Sequence, residues 1–233
     1  MRLSVREAAS YLGVPERDVR RWVRDGTLPA IQAADRQFLD AVELWEWATR
    51  RGMVVSRHLL DDLHQRADAP TSLATLIEAG GIVRDVPGAS RDEVLRAVVA
   101  RLPLPDEVDR EFLLEVLEAR EALGSTGIGD GIAIPHVRNP IVLHLDQPLV
   151  MIALLHQPVD FAAPDGRPVT TLFTIITPDI PTHLAILGRL ALVLRDPDLR
   201  RSLTDRATAQ DIVSRIDMIE HRETGAFRIP ERT

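Results

Sequence analysis

The sequence predicts two domains of different class, a small and mostly helical module followed by an α/β domain. Two helix patterns, the first opened by a capping box, joined by a very short turn near the amino terminus predict the first. Capped amphipathic stretches that alternate with apolar runs at 149–155 and 169–176 predict the second, because such alternation builds helices around a sheet. A chain of 233 residues has room for both, and 45% apolar against 27% charged residues supplies a proper core.

Ser4-Val5-Arg6-Glu7 is a capping box, so a helix begins near Val5 and ends around Gly13. A second helix starts at Pro15 or Glu16 and closes at Gly26. On it Arg17, Arg20, Arg21 and Arg24 share one face and Val19, Trp22 and Val23 the opposite one, with the acids Glu16, Asp18 and Asp25 on the flanks. A guanidinium stripe grips phosphates and reads guanine edges, so a helix entering a major groove should carry one. Residues 28–39 read as two short extended segments around Ala34-Asp35. Asp40 then caps a third helix whose Trp45 and Trp47 are expected in the core rather than as platforms for bases.

Residues 54–71, ending in Asp68-Ala69-Pro70, read as a partly helical linker between a module at 1–53 and a domain at 72–222, with 223–233 as a tail. In the second domain Ser90-Arg91-Asp92-Glu93 caps a helix with the stripe Val94, Leu95, Val98, Val99 and Leu102. Val108, Phe112, Leu113, Val116 and Leu117 make the stripe of the next helix, which delivers Arg120 at its carboxyl end. Pro181-Thr182-His183 opens a later helix, and Thr208-Ala209-Gln210-Asp211 caps the last one to about Met218.

The chemistry concentrates between Arg120 and His136. Gly124, Gly127, Gly129 and Gly131 are interleaved with Ser125 and Thr126, then Ile132-Ala133-Ile134 forms a short strand that Pro135 stops just before His136. A neutral imidazole can attack phosphorus without a separate base, and the product needs a guanidinium and N–H donors around it. Arg120 and the loop could supply these, with His183 adding a donor at a helix amino terminus. Ser125 and Thr126 read as loop formers and phosphate donors rather than nucleophiles.

The composition excludes several alternatives. No cysteine is present, which removes disulfides, thiolate ligands and a cysteine nucleophile, and neither spacing nor residue type supports a metal site. All 28 basic residues are arginine, which removes a Schiff-base lysine and a Walker-type phosphate loop. No cofactor is expected. The apolar runs are far shorter than a membrane span, so a soluble, cytoplasmic protein without membrane insertion is expected. The net charge of −7 is uneven: residues 1–53 hold nine Arg against eight Asp plus Glu. Nonspecific nucleic-acid binding is therefore disfavoured for the whole chain but not for its first module.

Two resemblances follow from these residues. Leu3-Ser4-Val5-Arg6-Glu7-Ala8-Ala9, Tyr11-Leu12-Gly13-Val14, Gly26-Thr27-Leu28-Pro29-Ala30 and Leu44-Trp45-Glu46-Trp47 resemble the excisionase or MerR-like winged helix-turn-helix family over residues 2–51, which implies DNA contact. Arg120-Glu121-Ala122-Leu123-Gly124-Ser125-Thr126-Gly127-Ile128-Gly129, then Gly131-Ile132-Ala133-Ile134-Pro135-His136, and more faintly Thr182-His183-Leu184, resemble the type-2 enzyme IIA domain of the bacterial phosphoenolpyruvate-dependent phosphotransferase system, in its fructose, mannitol and nitrogen-regulatory branch. That resemblance implies an enzyme IIA-like mixed sheet flanked by helices. It also implies phosphorylation of His136 by a histidine-containing phosphocarrier protein, with His183 and Arg120 lining the same site and Ser125, Thr126, Gly127 and Gly129 forming its loop. The sequence departs at Asp130, where asparagine is common, and at Val137, where a small residue is usual. These would add charge and bulk beside a phosphate. The functional expectation is a regulator that takes a phosphoryl group on one domain and touches DNA with the other. The alternative is a sugar-specific component that passes phosphate to a permease partner and uses its first module for protein docking.

Overall fold

The computed structural model describes residues 2–33, 36–51, 53, 72–137 and 147–225. Close contacts divide the chain into two compact units, one holding the described residues up to 53 with 179–188, the other the described residues 72–178 and 189–225. The linker expected at 54–71, the pair Ala34-Asp35, and the last eight residues of the expected tail lie outside the described residues.

The first unit begins with β1 (Arg2–Ser4), α1 (Val5–Leu12) and α2 (Glu16–Arg24). It continues with β2 (Ile31–Ala33), β3 (Arg36–Asp40) and α3 (Ala41–Arg50). The capping box is complete: Glu7 N donates to Ser4 Oγ at 3.2 Å, and Ser4 N donates to Glu7 Oε2 at 2.7 Å. Gly13 ends α1 in the left-handed region at φ 64°, where a side chain would be strained. Asp40 caps α3 by accepting from Val42 N at 2.9 Å and Glu43 N at 3.3 Å. Trp45 and Trp47 are buried, Trp47 Nε1 donates to Thr27 O at 2.6 Å, and its ring lies 4.8 Å from that of Trp22. The tryptophans are core, as expected. Strand β1 is new: Leu3 sits opposite Leu39, so the cap of α1 is anchored in a small antiparallel sheet of order β1-β3-β2.

In the second unit come α4 (Leu73–Gly80), β4 (Ile82–Val86), α5 (Arg91–Val99) and α6 (Arg110–Ala122). These lead to β5 (Gly127–Gly129), β6 (Ile132–Ala133), β7 (Leu149–Val159) and β8 (Val169–Ile176). Helix α7 (Ile180–Val193) follows in sequence, its residues up to 188 grouped with the first unit, then α8 (Pro197–Thr204) and α9 (Ala209–Gly225). Among the described residues the sheet has order β4-β7-β8-β6-β5. It is mixed, with β4 parallel to β7, β7 antiparallel to β8, β6 parallel to β8 and β5 antiparallel to β6.

Every residue of β7 from Leu149 to Leu155 is buried, which is why the run carries no polar alternation. Leu149, Met151, Ala153 and Leu155 join the cluster formed with Val94, Leu95, Val98, Leu113 and Leu117 of α5 and α6. Val150, Ile152 and Leu154 alternate onto the other face, where α4 packs on β7. Glu220 of α9 accepts from Leu73 N at 2.8 Å, so the last helix caps the first one of this unit. Burial raises the Glu220 carboxyl above its ordinary range, and the nearby Arg189 guanidinium opposes that rise.

Three details depart from the sequence expectation. Helix α9 runs to Gly225, seven residues beyond Met218, taking in part of the expected tail. Phe112 is 39% exposed, and Leu114 is buried in its place. Glu93 reaches back to Ala89 N at 2.8 Å rather than to the N–H of Ser90.

The packing of α4 on β7 has no room for a methyl group. A Cβ at Gly80 would stand 2.3 Å from the Val150 carbonyl oxygen. Alanine in an unobstructed helix gains about 1 kcal/mol over glycine, but here overpacking against backbone should reverse the sign. Gly80→Ala should lower stability by about 1 to 3 kcal/mol, read as a drop in urea midpoint at unchanged m-value. A rise in midpoint would refute the close approach.

Candidate functional site

Helix α6 ends at the residues that organise the loop. Arg120 is buried, and its Nη1 donates to Gly124 O at 2.8 Å. Glu121, also buried, accepts from Thr126 N at 3.2 and 3.1 Å on its two oxygens and from Thr126 Oγ1 at 2.6 Å. Ser125 Oγ donates to Phe161 O and accepts from Gly127 N at 2.9 Å. The loop between α6 and β5 is therefore closed on itself, and the N–H groups of Thr126 and Gly127 serve the loop. The sequence singles out Ser125, Thr126, Gly127 and Gly129, but it assigns no role to Glu121, whose carboxylate takes both the N–H and the hydroxyl of Thr126.

The loop leads directly to the histidine. Ile134 N donates to Thr126 O at 3.0 Å, and His136 Nδ1 bonds Ile134 O at 2.7 Å. A carbonyl oxygen only accepts, so Nδ1 carries the proton and the imidazole lone pair lies on Nε2. Ile175 N donates to Pro135 O at 3.0 Å, and a parallel bridge pairs His136 with Ile175. His136 is thus held at the end of β6 against β8, as the position of Pro135 implies.

Both sequence departures are absorbed. Asp130 and Gly131 form the two-residue turn between β5 and β6 with φ of 52° and 74°, as primed hairpin turns require. The Asp130 carboxylate pairs with Arg167 Nη1 at 3.2 Å and with Arg200 Nη1, so its charge is balanced by two guanidinium groups. Val137 is buried in the core cluster, one position out of phase with His136, so its bulk fills the core.

Asp165 locks the turn from outside. Its Oδ2 accepts from Asp130 N at 2.7 Å and its Oδ1 from Arg167 N at 3.1 Å. The Asp130 bond, then the Arg167 bond, hold the Asp165 carboxyl below its ordinary range.

His183 is fully buried in the first turn of α7, where Asp179 Oδ1 accepts from Thr182 N at 2.8 Å. It lies in the segment 179–188 and so belongs to the first compact unit, whereas Arg120, the loop and His136 belong to the second.

The stripe on α2 is not bare. Arg20 pairs with Glu16 at 3.2 Å, Arg21 with Asp18 at 3.1 Å and Arg24 with Asp25 at 3.6 Å. Arg17, Arg20, Arg21 and Arg24 all remain exposed. An open groove between the start of α1, α2 and the hairpin is lined by Arg6, Arg20, Gln32 and Gln37.

Residues 75–218 match the family model described as "Phosphoenolpyruvate-dependent sugar phosphotransferase system, EIIA 2". The chain belongs to that family. Residues 2–52 match a helix-turn-helix domain. The chain is similar to the nitrogen regulatory protein of Pseudomonas aeruginosa, 42% identical over 150 residues that cover 59% of this chain and 90% of the relative. The nitrogen regulatory protein of Bradyrhizobium diazoefficiens is 35% identical over 127 residues, 54% of this chain and 81% of that one. The crystal structure of nitrogen regulatory protein IIA-Ntr from Neisseria meningitidis superposes at a TM-score of 0.55 and 30% identity, covering 62% of this chain and 98% of that one. The second unit is thus an enzyme IIA fold with a helix-turn-helix domain before it in sequence. No helix among the described residues is long and apolar enough to cross a membrane.

A carboxylate whose folded pKa lies below its unfolded one stabilises the fold above the unfolded pKa and loses that contribution as pH falls through the folded value. Asp165 should therefore release the Asp130 amide only below about pH 3.9. The Asp130 amide shift should titrate with a midpoint under that value in NMR spectra, and should lose the transition in Asp165→Asn. An amide that does not respond between pH 2 and about 5 would show that Asp165 is not its acceptor.

Proposed function

We propose that this protein accepts a phosphoryl group on His136 Nε2 from a histidine-containing phosphocarrier protein and works in the cytoplasm as a regulator that contacts DNA through its amino-terminal domain. The observation that carries the first half is the 2.7 Å bond between His136 Nδ1 and the Ile134 carbonyl, which puts the nucleophilic lone pair on Nε2. The Nε2–P bond forms as the donor's N–P bond breaks, so phosphorus exchanges one imidazole for another and no water or separate base is required. As Nε2 takes up phosphorus, positive charge grows on the ring and the Nδ1–H bond to Ile134 O strengthens. Arg120 is assigned as a donor to the phosphoryl oxygens, with Ser125 and Thr126 of the loop and Gly127 and Gly129 of β5 shaping its surroundings. Residues 54–71 serve as the joint between a module at 1–53 and the phosphoryl-accepting domain at 72–222.

Incubation with phosphoenolpyruvate, the general phosphotransferase enzyme and the phosphocarrier should place acid-labile phosphate on the wild type and none on His136→Ala. Arg120→Ala should slow transfer about 100-fold, the usual effect of losing a preorganised charge partner. Equal labelling of wild type and His136→Ala would end the proposal.

The added phosphoryl group carries about −1.5 to −2 charges, a large change for a protein in which Arg20, Arg21 and Arg24 are already paired with acids. DNA contact through Arg17, Arg20, Arg21 and Arg24 should therefore be weak and steeply salt-dependent, with log K falling by about 0.9 per phosphate gripped for each unit of log salt. Replacing Arg20 and Arg21 together with Ala in the full chain should flatten that slope in a gel-shift series. Unchanged binding would move the DNA contact elsewhere. If the protein is labelled but binds no DNA, transfer to a permease component becomes the favoured role, with the first module used for protein docking.

A further inference from the structure

The geometry points to Glu121 as a positioning residue for His136: its carboxylate holds the loop that fixes the tautomer of the reacting ring. This inference rests on the proposed role of His136. Four contacts lead from one residue to the other. Glu121 accepts from Thr126 N and from Thr126 Oγ1, Thr126 O accepts from Ile134 N at 3.0 Å, and Ile134 O bonds His136 Nδ1 at 2.7 Å. No peptide group is shared between successive bonds, so the coupling is geometric: fixing Thr126 fixes Ile134, and the Ile134 carbonyl then selects the protonated nitrogen of the ring.

Several features mark Glu121 as placed for this task. It is 5% exposed, an uncommon position for a carboxylate on a helix. Its charge faces the Arg91 guanidinium at 3.7 Å, from the first turn of α5. It sits in the last turn of α6, where the helix dipole disfavours a negative charge, so the end of the helix gains nothing from an acid there. Its neighbour Arg120 grips Gly124 at the other side of the same loop. Two adjacent side chains of opposite charge thus hold the loop at residues 124 and 126, with Ser125 tied to Phe161 between them.

Without the carboxylate, the N–H and hydroxyl of Thr126 lose their shared acceptor in a buried place, and the loop must shift to find others. A displacement of that kind acts on His136 through Ile134. A mispositioned ring of about 1 Å is enough to slow transfer about 100-fold.

The test uses the full chain without phosphate and reads the two ring nitrogens of His136 by 15N NMR. In the wild type Nδ1 should be the protonated nitrogen. In Glu121→Gln, which keeps the side chain's size but loses the charge and one acceptor, the population protonated on Nε2 should rise, and kcat for phosphoryl transfer should fall about 10- to 100-fold with the KM for the phosphocarrier unchanged. Thr126→Val, which removes only the hydroxyl, should shift both readouts in the same direction but less. Glu121→Gln with wild-type tautomer populations and wild-type kcat would overturn the inference, as would a loss confined to KM. The ring measurement does not depend on any donor, so a wild type that takes no phosphate would end the proposed function while the tautomer still decides the role of Glu121.

Discussion

The pairing of β8 with β6 is the constraint on which the second unit depends. Ile132 sits opposite Thr171, Ala133 opposite Leu172 and His136 opposite Ile175, all in parallel register. Side chains alternate across a strand, so this register sends Ala133 and Val137 into the core shared with α5 and α6 and sends His136 to the other side. A slip of one residue would turn the already buried imidazole into the leucine-rich core and put a valine in its place. Two backbone bonds guard against it, Ile175 N to Pro135 O and Ile134 N to Thr126 O. Because proline has no N–H of its own to offer, Pro135 meets β8 through its carbonyl, and among the described residues His136 is the last one bridged to β8.

Much of the fold is legible in the amino-acid sequence. Caps, glycine stops and apolar stripes locate α1, α2, α3, α5, α6, α7 and the start of α9, because those signals are local and physical. The strands β7 and β8 are legible as apolar runs whose burial on both faces removes alternation. The elements that escape sequence reading depend on distant partners or are very short. Strand β1 is three residues whose only reason to be extended is β3, some 35 residues later, and the same three residues double as the run-up to a capping box. Helices α4 and α8 are eight residues each, too short for periodicity alone, and unlike α1 of the same length they carry no capping box. Spacing alone puts Phe112 in the core, but Asp109 caps the helix so that Phe112 falls in its exposed first turn.

Within the candidate site, the sequence singles out His136 and Arg120 but not Glu121, the residue proposed to align the ring. His136 and Arg120 announce themselves by type and by neighbouring glycines, whereas Glu121 looks like any acid on an amphipathic helix until its carboxylate is seen meeting Thr126. The charge at Asp130 is a related case. Its partners Arg167 and Arg200 lie 37 and 70 residues away, so only the fold reveals that the acid is neutralised. The chain's exclusive use of arginine also gains a structural meaning. Arg110 reaches the carbonyls of Val99, Leu102 and Leu104, and Arg84 those of Arg206 and Ala207, each with one planar fork. A lysine ammonium offers three donors from a single atom and could not span such sets.

The bond between Glu220 and Leu73 has a consequence for how such a protein can be assembled. It joins positions 147 residues apart and brings the first helix of the enzyme IIA unit against its last. A domain whose two chain ends meet can be spliced behind another module, or cut and rejoined at new termini, without opening its sheet. The fusion to a helix-turn-helix module is then an addition at a seam. The same seam makes the unit a candidate for circular permutation, in which old ends are linked and new ones are opened in a surface loop.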